Sequence, residues 1–349
     1  MADILPIVAD TNFIKLGVVD DYISLIWTTR YYEHGDFQIE VPITEENVTM
    51  LAIGNYILRN DDPNVGIIEK VDLVYSSSSK RVLTIYGRFA TQLLGRRIVA
   101  EQTVVSGAIS SCINKLIEDA IINPAINARK ISNFVIDNYT IATTIEAQYT
   151  GKNLYDIISE LAKQYKFGFR ITLNDDNEFV FACYEGEDRS YNQNVNPYVI
   201  FSDEYDNLIN SEYQRDASGI ITDVLAAGEG EGDQRRTVWV TNNEAPTGIN
   251  RYEYYDDSRN TSSNEGEISD QEYMEQLAED GRMDLTTYTV TFAGECDSTN
   301  ISFGVDVNVG DLVTIENSIL GLTSTVRIIE LIESVSATGA YSIIPTFGE

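Results

Sequence analysis

The spacing of apolar residues changes twice along this chain, and these changes constrain the fold more than any single motif does. Up to residue 97, short apolar runs alternate with turn residues, which is the pattern of strands. The predicted strands are 13–19, 22–29, 37–41, 56–59, 66–75 and 81–87, with a polar hairpin tip at 76–80. Short runs return at 288–292, 312–316, 323–331 and 341–347. The sequence therefore predicts two strand-rich ends, each with the strand spacing of a barrel or a sandwich.

Between these ends the apolar residues repeat at three and four positions, which is the period of a helix. One helix is predicted over 109–121, because Asn123 and Pro124 stop the pattern. A second is predicted over 153–165, with Gly168 placed for a C-terminal cap. Strands at 167–173 and 178–184 complete a mixed α and β block in the middle of the chain.

A third helix is predicted near 269–284, and it begins at a capping box formed by Ser269 and Glu272. Its narrow apolar stripe predicts a half-exposed helix on a sheet. The fold class is therefore mainly β with an α+β insertion. We expect the boundaries 1–100 for a first β module, 101–199 for the α/β insertion and 200–349 for a second β module that carries this helix.

The stretch 201–259 contains two apolar runs joined by a loop with Gly228, Gly230 and Gly232. A glycine-rich loop can hold phosphate when its N–H groups open a helix and a Lys and a Ser or Thr lie nearby. Here the glycines alternate with acids, at Glu229, Glu231 and Asp233, and an apolar strand pattern follows. The loop is therefore predicted to be a turn between two strands.

The formal charge of −31 is distributed unevenly. Residues 1–200 carry a net charge of −9 and residues 201–349 carry −22, and no lysine occurs after Lys166. Such a surface repels nucleic acid and anionic membranes, so specific DNA binding is not expected. Simple solubility is an equally open explanation of the charge.

The cysteines, Cys112, Cys183 and Cys296, lie far apart in sequence and have no paired spacing, so neither a disulfide framework nor a zinc site is predicted. The first residues lack the basic and apolar regions of a signal peptide, and no apolar run reaches the ~18 residues of a membrane-spanning helix. We therefore expect folding in a reducing cytoplasm, no membrane-spanning segment and no ordinary secretion.

Candidate chemistry is sparse. The one histidine, His34, lies in a predicted turn without a nucleophile motif around it. An oxygen-only calcium site at 306–311 and a carboxylate pair for glycoside hydrolysis both remain open, although neither has its sequence signature. The tyrosine-rich segment 251–255 has the alternation of a strand with aromatic cross-strand pairs, and could alternatively stack on sugar rings. No catalytic, cofactor-binding or metal-binding residue is predicted, and the protein is expected not to be an enzyme.

Several short motifs, in this order along nearly the whole chain, resemble those of siphophage tail hub proteins, a family related to the baseplate hub of contractile phage tails. They are 31–37 (YYEHGDF) with 41–42 (VP), 66–69 (GIIE), 83–88 (LTIYGR) with 93–97 (LLGRR), 153–156 (NLYD), 202–213, 228–232 (GEGEG) with 235–236 (RR), 251–253 (RYE) and 310–313 (GDLV).

The resemblance implies two β-barrel modules per chain and a homotrimer, which gives a pseudo-sixfold ring at the tail tip of a virion. It implies contacts with the distal tail or tail tube protein on one side and with a spike, fibre or tape-measure component on the other. DNA would pass through the ring during ejection without specific binding. The alternatives are a host cell-wall carbohydrate-binding adhesin and a cell-wall hydrolase of the tail tip.

Overall fold

The computed structural model describes residues 4–74, 82–205, 207–242, 244–296, 301–318 and 321–348, so the hairpin tip expected at 76–80 lies outside the described residues. The first part of the chain contains β1 (Pro6–Ala9), β2 (Lys15–Val18), β3 (Ser24–Arg30), β4 (Asp36–Pro42), α1 (Glu45–Met50), β5 (Tyr56–Arg59), β6 (Val65–Val74), β7 (Val82–Phe89) and a 3₁₀ helix at Ala90–Arg96. Its strands pair in the order β3-β4-β7-β6-β5-β1-β2. In β4, Phe37, Ile39 and Val41 are buried and alternate with half-buried residues, as a strand with one face on a core requires.

The middle of the chain is mixed α and β. It contains β8 (Thr103–Ala108), α2 (Ile109–Ile117) continued by a π-helical turn (Glu118–Ile122), a 3₁₀ turn (Asn127–Arg129), β9 (Phe134–Ile136), β10 (Thr144–Tyr149), α3 (Leu154–Tyr165), β11 (Gly168–Leu173) and β12 (Phe179–Tyr184). Strands β8 and β10 form one sheet, and β11, β12 and β9 form another. The predicted helices and the strands at 167–173 and 178–184 are confirmed.

The last part contains β13 (Ile200–Ser202), β14 (Leu208–Asp216), β15 (Asp223–Ala227), β16 (Thr237–Thr241), β17 (Glu253–Asp256), α4 (Asp270–Met283), β18 (Thr289–Cys296), β19 (Leu312–Asn317), β20 (Leu322–Ser336) and β21 (Tyr341–Gly348), with 3₁₀ turns at Gly232–Gln234, Gly248–Asn250 and Asn264–Gly266. The predicted capping box is confirmed, because the Ser269 side chain accepts the N–H of Glu272 and the Glu272 side chain accepts the N–H of Ser269.

Strand β20 joins the two ends of the chain into one sheet. Residues 322–327 of β20 pair with β19, whereas residues 330–336 pair with β3. Its other edge pairs with β21. The same strand also contributes to both cores, since Val326 and Ile328 pack around Phe201 and Phe347, whereas Val335 belongs to the core around Trp27. The two β modules are therefore fixed to each other by a shared strand rather than by a linker.

Strands β15, β16 and β17 and helix α4 form a small unit between β14 and β18. The antiparallel hairpin of β15 and β16 confirms the two strands predicted around the glycine loop. Helix α4 packs on one face of this sheet through Tyr273 and Leu277, and Gly281 approaches Val224, Ala226 and Val240. The prediction of a helix on a sheet is thus confirmed, but the helix is not half-exposed, because residues 276–281 are all buried.

The large sheet does not close on itself in the described part of the chain. Its strand path ends at β14 on one side and at β2 on the other. The fold is mainly β with α and β segments between the strands, as predicted, but the closure implied by two barrel modules is not confirmed. The boundaries 1–100, 101–199 and 200–349 stay predictions.

Candidate functional site

The side chain of Tyr31 lies fully buried where both β modules and the middle block meet. Its hydroxyl lies 3.3 Å from the carbonyl oxygens of Lys166 and Tyr184, to which it can donate, and it accepts the N–H of Gly186 at 3.3 Å. All three partners belong to the middle block. Because a buried hydroxyl needs partners, these contacts fix where the middle block lies relative to β3.

Two glycines make room for the Tyr31 ring. Gly168 and Gly310 both face it, and a Cβ on either glycine would collide with ring atoms. The guanidinium carbon of Arg327, in β20, lies 5.2 Å from the ring centroid. The predicted capping role of Gly168 is wrong, because α3 ends at Lys166 in the left-handed conformation and Gly168 begins β11. The absence of a side chain at Gly168 is needed for the close approach of Tyr31 instead.

Asp311 connects the middle block to the second β module. Its carboxylate accepts the N–H of Glu187 at 2.8 Å, the N–H of Asn308 at 2.9 Å and the Nε of Arg189 at 3.0 Å. A buried carboxylate with three charge-assisted donors is well satisfied. The motif at 310–313 is therefore a structural connection at the junction.

The calcium site considered at 306–311 is not supported by this arrangement. Asp306 accepts the N–H of Ser302 at 2.9 Å, which folds the loop back on itself, and the oxygens of Asp311 are engaged as described above. The described residues contain no group of three or more His, Cys, Asp or Glu side chains arranged to hold a metal ion.

The residues that follow Tyr31 contact helix α3. The Ser159 hydroxyl donates to the carbonyl of Tyr32 at 2.9 Å, and the Lys163 ammonium lies 2.5 Å from the Glu33 carboxylate. One short segment thus contacts the middle block through both its backbone and its side chains.

His34 lies in this segment, in the predicted turn before β4. Its backbone N–H donates to the Tyr155 hydroxyl at 3.1 Å, and the centroids of the His34 and Tyr155 rings lie 5.1 Å apart. Burial and the nearby Arg88 lower the pKa of His34, and its Nδ1 is buried without a hydrogen-bond partner. The side chain packs at the junction and has no hydrogen-bonded nucleophile, so the structure gives no support to a catalytic role.

Helix α4 contacts the middle block through polar side chains. Gln148 of β10 donates to the carbonyl of Ser262 at 3.0 Å and to the Gln276 side chain at 3.2 Å. The Tyr165 hydroxyl donates to Glu279 at 2.7 Å. This face of α4 was not predicted, because buried polar residues have the sequence pattern of an exposed helix face.

Acidic groups gather around Lys152 at the same contact. The Lys152 Nζ lies 3.6 Å from Asp280, which also accepts the Thr261 hydroxyl at 2.6 Å. Burial raises the pKa of Asp284 to about 6, and the charge of Asp256 adds to this effect. The ionised form of Asp284 is therefore disfavoured at this position.

The glycine loop has a packing role. The Tyr273 hydroxyl reaches into the loop and accepts the N–H of Glu229 at 2.8 Å, and a Cβ on Gly228 would collide with that hydroxyl. Arg236 pairs with Glu229 and Asp270. These side chains support the predicted turn between two strands rather than a phosphate site.

The three cysteines are buried and free. Burial raises the pKa of Cys183 and of Cys296 to about 12, so neither thiol is activated as a nucleophile. None of the helices in the described ranges is both long and apolar enough to cross a membrane.

Comparisons with known proteins agree with this architecture. A family model described as Siphovirus ReqiPepy6 Gp37-like protein matches residues 5–349. No curated protein sequence matches the chain.

Three solved structures have the same fold over nearly the whole chain. The tail protein from Neisseria meningitidis MC58 has a TM-score of 0.57 at 15% identity and covers 99% of this chain and 96% of its own. Prophage tail protein gp18 from Listeria monocytogenes EGD-e has a TM-score of 0.55 at 12% identity and covers 99% and 94%. The 43 kDa tail protein of prophage MuSo2 from Shewanella oneidensis has a TM-score of 0.52 at 13% identity and covers 98% of each.

These matches confirm the resemblance to a siphophage tail protein family. The chain belongs to the Siphovirus ReqiPepy6 Gp37-like protein family and has the fold of phage tail proteins.

Proposed function

We propose that this tail protein is the structural hub of a siphovirus-type tail tip. Three copies form a ring that continues the tail tube. The ring contacts the distal tail or tube protein above and a spike, fibre or tape-measure component below. It acts as a conduit for DNA during ejection and catalyses no reaction. The family match and the fold shared with prophage tail proteins support a tail role, and the open sheet edges support the ring.

The observation that carries the ring proposal is the exposure of β14 at one end of the large sheet. Residues 211–215 of this strand are all exposed, and among the described residues its one strand partner is β18. An unpaired edge with exposed side chains on both faces is a template for pairing with another chain. Such a strand is stabilised when a neighbouring subunit covers it.

The opposite end of the sheet is open as well. In the part of the chain that the structure describes, strand β2 pairs with β1 alone, and Leu16 and Val18 are exposed along it. Two different open edges on one rigid sheet favour head-to-tail contacts between subunits, and such contacts close into a ring when the rotation per subunit is right. Strand β20 connects the two parts of the sheet that carry these edges.

Electrostatics is compatible with a conduit. Three copies triple the formal charge of −31, and negative charge near a lumen keeps DNA from adhering. Only charges within about 8 Å of the strand act on it in physiological salt. Localisation to the virion tail tip, after folding in the host cytoplasm, is part of this proposal.

The mass of the purified chain, measured by light scattering, tests the ring. The chain has a mass of 39.0 kDa, so a trimer has about three times that mass. We expect the wild type to be a trimer. Leu16→Glu at β2 and Ile209→Glu at β14 place a charge on opposite edges and are expected to reduce the mass.

Ile249→Glu is the matched control, because Ile249 is 93% exposed in a turn that belongs to neither β2 nor β14. It should remain a trimer. A wild type that stays monomeric at its highest soluble concentration, or edge variants that assemble like the control, would contradict the ring proposal.

A further inference from the structure

Helix α4 covers one face of the sheet of β16, β15 and β17. Val224, Ala226 and Val240 point toward α4, since they surround Gly281. Leu225 therefore points to the opposite face, because successive side chains of a strand alternate. Trp239 and Tyr255 are both paired with Leu225 in the strand register, so they lie on that opposite face.

These residues form an aromatic platform, which we define as Trp239, Leu225 and Tyr255. Trp239 is 48% exposed and Tyr255 is 51% exposed. They lie on the two outer strands of a three-stranded sheet, so their backbones are separated by two strand spacings, ~10 Å. Each end of the platform carries a half-exposed ring.

An arginine guanidinium packs against each of the two rings. The Arg251 guanidinium lies 4.9 Å from the centroid of the Trp239 ring and 2.5 Å from Asp223, which is fully buried. The Arg235 guanidinium lies 5.8 Å from the centroid of the Tyr255 ring and donates to the carbonyl of Ala227 at 2.7 Å. Rings fixed before binding lose little freedom when a ligand covers them.

The charges of these arginines are already matched. Arg251 pairs with Asp223 and Glu253, and Arg235 pairs with Asp257. The platform therefore offers hydrogen-bond donors and acceptors without net positive charge. With −22 on residues 201–349, an anionic polymer is repelled.

The platform by itself is smaller than a protein interface. A stable protein interface covers about 800 Å² on each partner. A fully buried aromatic side chain covers ~150–250 Å², so two half-exposed rings offer on the order of 200 Å². A narrow ligand with flat apolar faces and polar edges fits better.

We propose that the aromatic platform binds a neutral, unbranched, β-linked glycan chain. The C–H faces of two sugar rings would pack on Trp239 and Tyr255, since sugar faces are apolar and planar rings remove them from water. Sugar hydroxyls would bond to the arginine and carboxylate groups at the ends of the platform. The separation of the two aromatic rings, two strand spacings or ~10 Å, matches the distance between alternate sugars of an extended chain. The proposal goes beyond the hub function and does not depend on ring formation.

Tryptophan fluorescence provides a direct readout, because the chain has two tryptophans and Trp27 is fully buried. The full-length protein is titrated with chitohexaose and cellohexaose as neutral β-linked probes, and with heparin as the anionic comparison. We expect saturable changes in emission and protection of Trp239 from iodide with at least one neutral probe. We expect no such changes with heparin.

Variants then locate the binding, which is measured by calorimetry. Trp239→Ala and Tyr255→Ala should each weaken binding about tenfold or more, whereas Trp239→Phe should retain most of it. Tyr198→Ala is the matched control, because Tyr198 is 55% exposed beside β13. Unchanged circular dichroism and melting temperature show that each variant is folded.

The proposal would be overturned by the absence of saturable binding to both neutral probes, by equal affinity in Trp239→Ala and the control, or by preferential binding of heparin. Protection of Trp239 from iodide in the assembled protein without glycan would also overturn it, because the platform would then be a contact between subunits.

Discussion

Tyr31 and Gly310 are far apart in sequence and in contact at the junction. Both belong to motifs that carry the family resemblance, 31–37 and 310–313. The sequence indicated that these motifs matter for the family, but not that they touch, because nothing in local periodicity encodes a contact over such a separation. At this scale the sequence predicted the turn at His34 and the absence of a nucleophile around it.

Replacement of Gly310 by alanine tests the close approach to Tyr31. Gly310 has φ +102 and faces the ring, whereas Gly304 has φ +85 with open space around its Cα. Gly304→Ala should cost about 1 kcal/mol from backbone strain alone. Gly310→Ala should cost ~3 kcal/mol or more, because the Cβ also displaces a buried ring. Thermal unfolding of both variants measures the difference, and equal losses would contradict the packing described here.

Asp284 gives the protein a pH-dependent stability. Burial and the charges of Asp256, Glu160 and Asp280 raise the pKa of Asp284 to about 6. A carboxyl whose folded pKa is raised destabilises the fold when ionised, so the penalty is full above pH ~6 and is lost as the pH falls toward ~4. Asp284→Asn should therefore stabilise the protein by about 1 kcal/mol at pH 7.5, because partial exposure screens the effect.

The measurement is the melting temperature of Asp284→Asn and wild type between pH 4 and pH 8. The two curves should differ most at pH 8 and converge near pH 4. Asp175→Asn, an exposed acid in the turn before β12, is the control and should follow the wild type at every pH. A constant difference across the pH range would contradict the assignment to Asp284.

At the scale of elements, helix α4 illustrates what a sequence pattern can and cannot predict. Its start, its length and its apolar face were predicted, because capping boxes and apolar stripes are local signals. Its second buried face, with Gln276, Glu279 and Asp280, was not predicted, because polar residues are usually exposed. The partners that satisfy this face lie in β10, α3 and adjacent loops, which a helical period does not identify.

Lys152→Met tests how much the ion pair between Lys152 and Asp280 stabilises this second face of α4. The change removes the ammonium beside buried Asp280, which should cost about 2 kcal/mol, since a buried charge that loses its partner is strongly destabilising. The amide hydrogens of α4 should also exchange faster in Lys152→Met than in the wild type. Lys163→Met removes a comparable but exposed pair with Glu33 and should cost at most about 1 kcal/mol. Equal exchange in α4 for both variants would contradict this account.

At the scale of the whole molecule, the strands were easier to predict than their partners. The apolar run at 323–331 predicted one strand, and β20 is indeed one strand of 15 residues. That it pairs with β19 through one half and with β3 through the other follows from long-range contacts. Barrel closure also depends on which strands pair over long sequence separations. The family resemblance implied this closure, but it is not confirmed in the described sheet. In the proposed ring, neighbouring copies would cover the open edges at β2 and β14.

Electron microscopy of the purified wild-type oligomer, with class averages from negative stain, tests the central claim most directly. The account predicts ring-shaped particles with threefold symmetry and a central opening, which the Leu16→Glu and Ile209→Glu variants fail to form. Uniform compact particles without an opening, at concentrations where light scattering gives one mass, would contradict the claim that this tail protein forms a conduit.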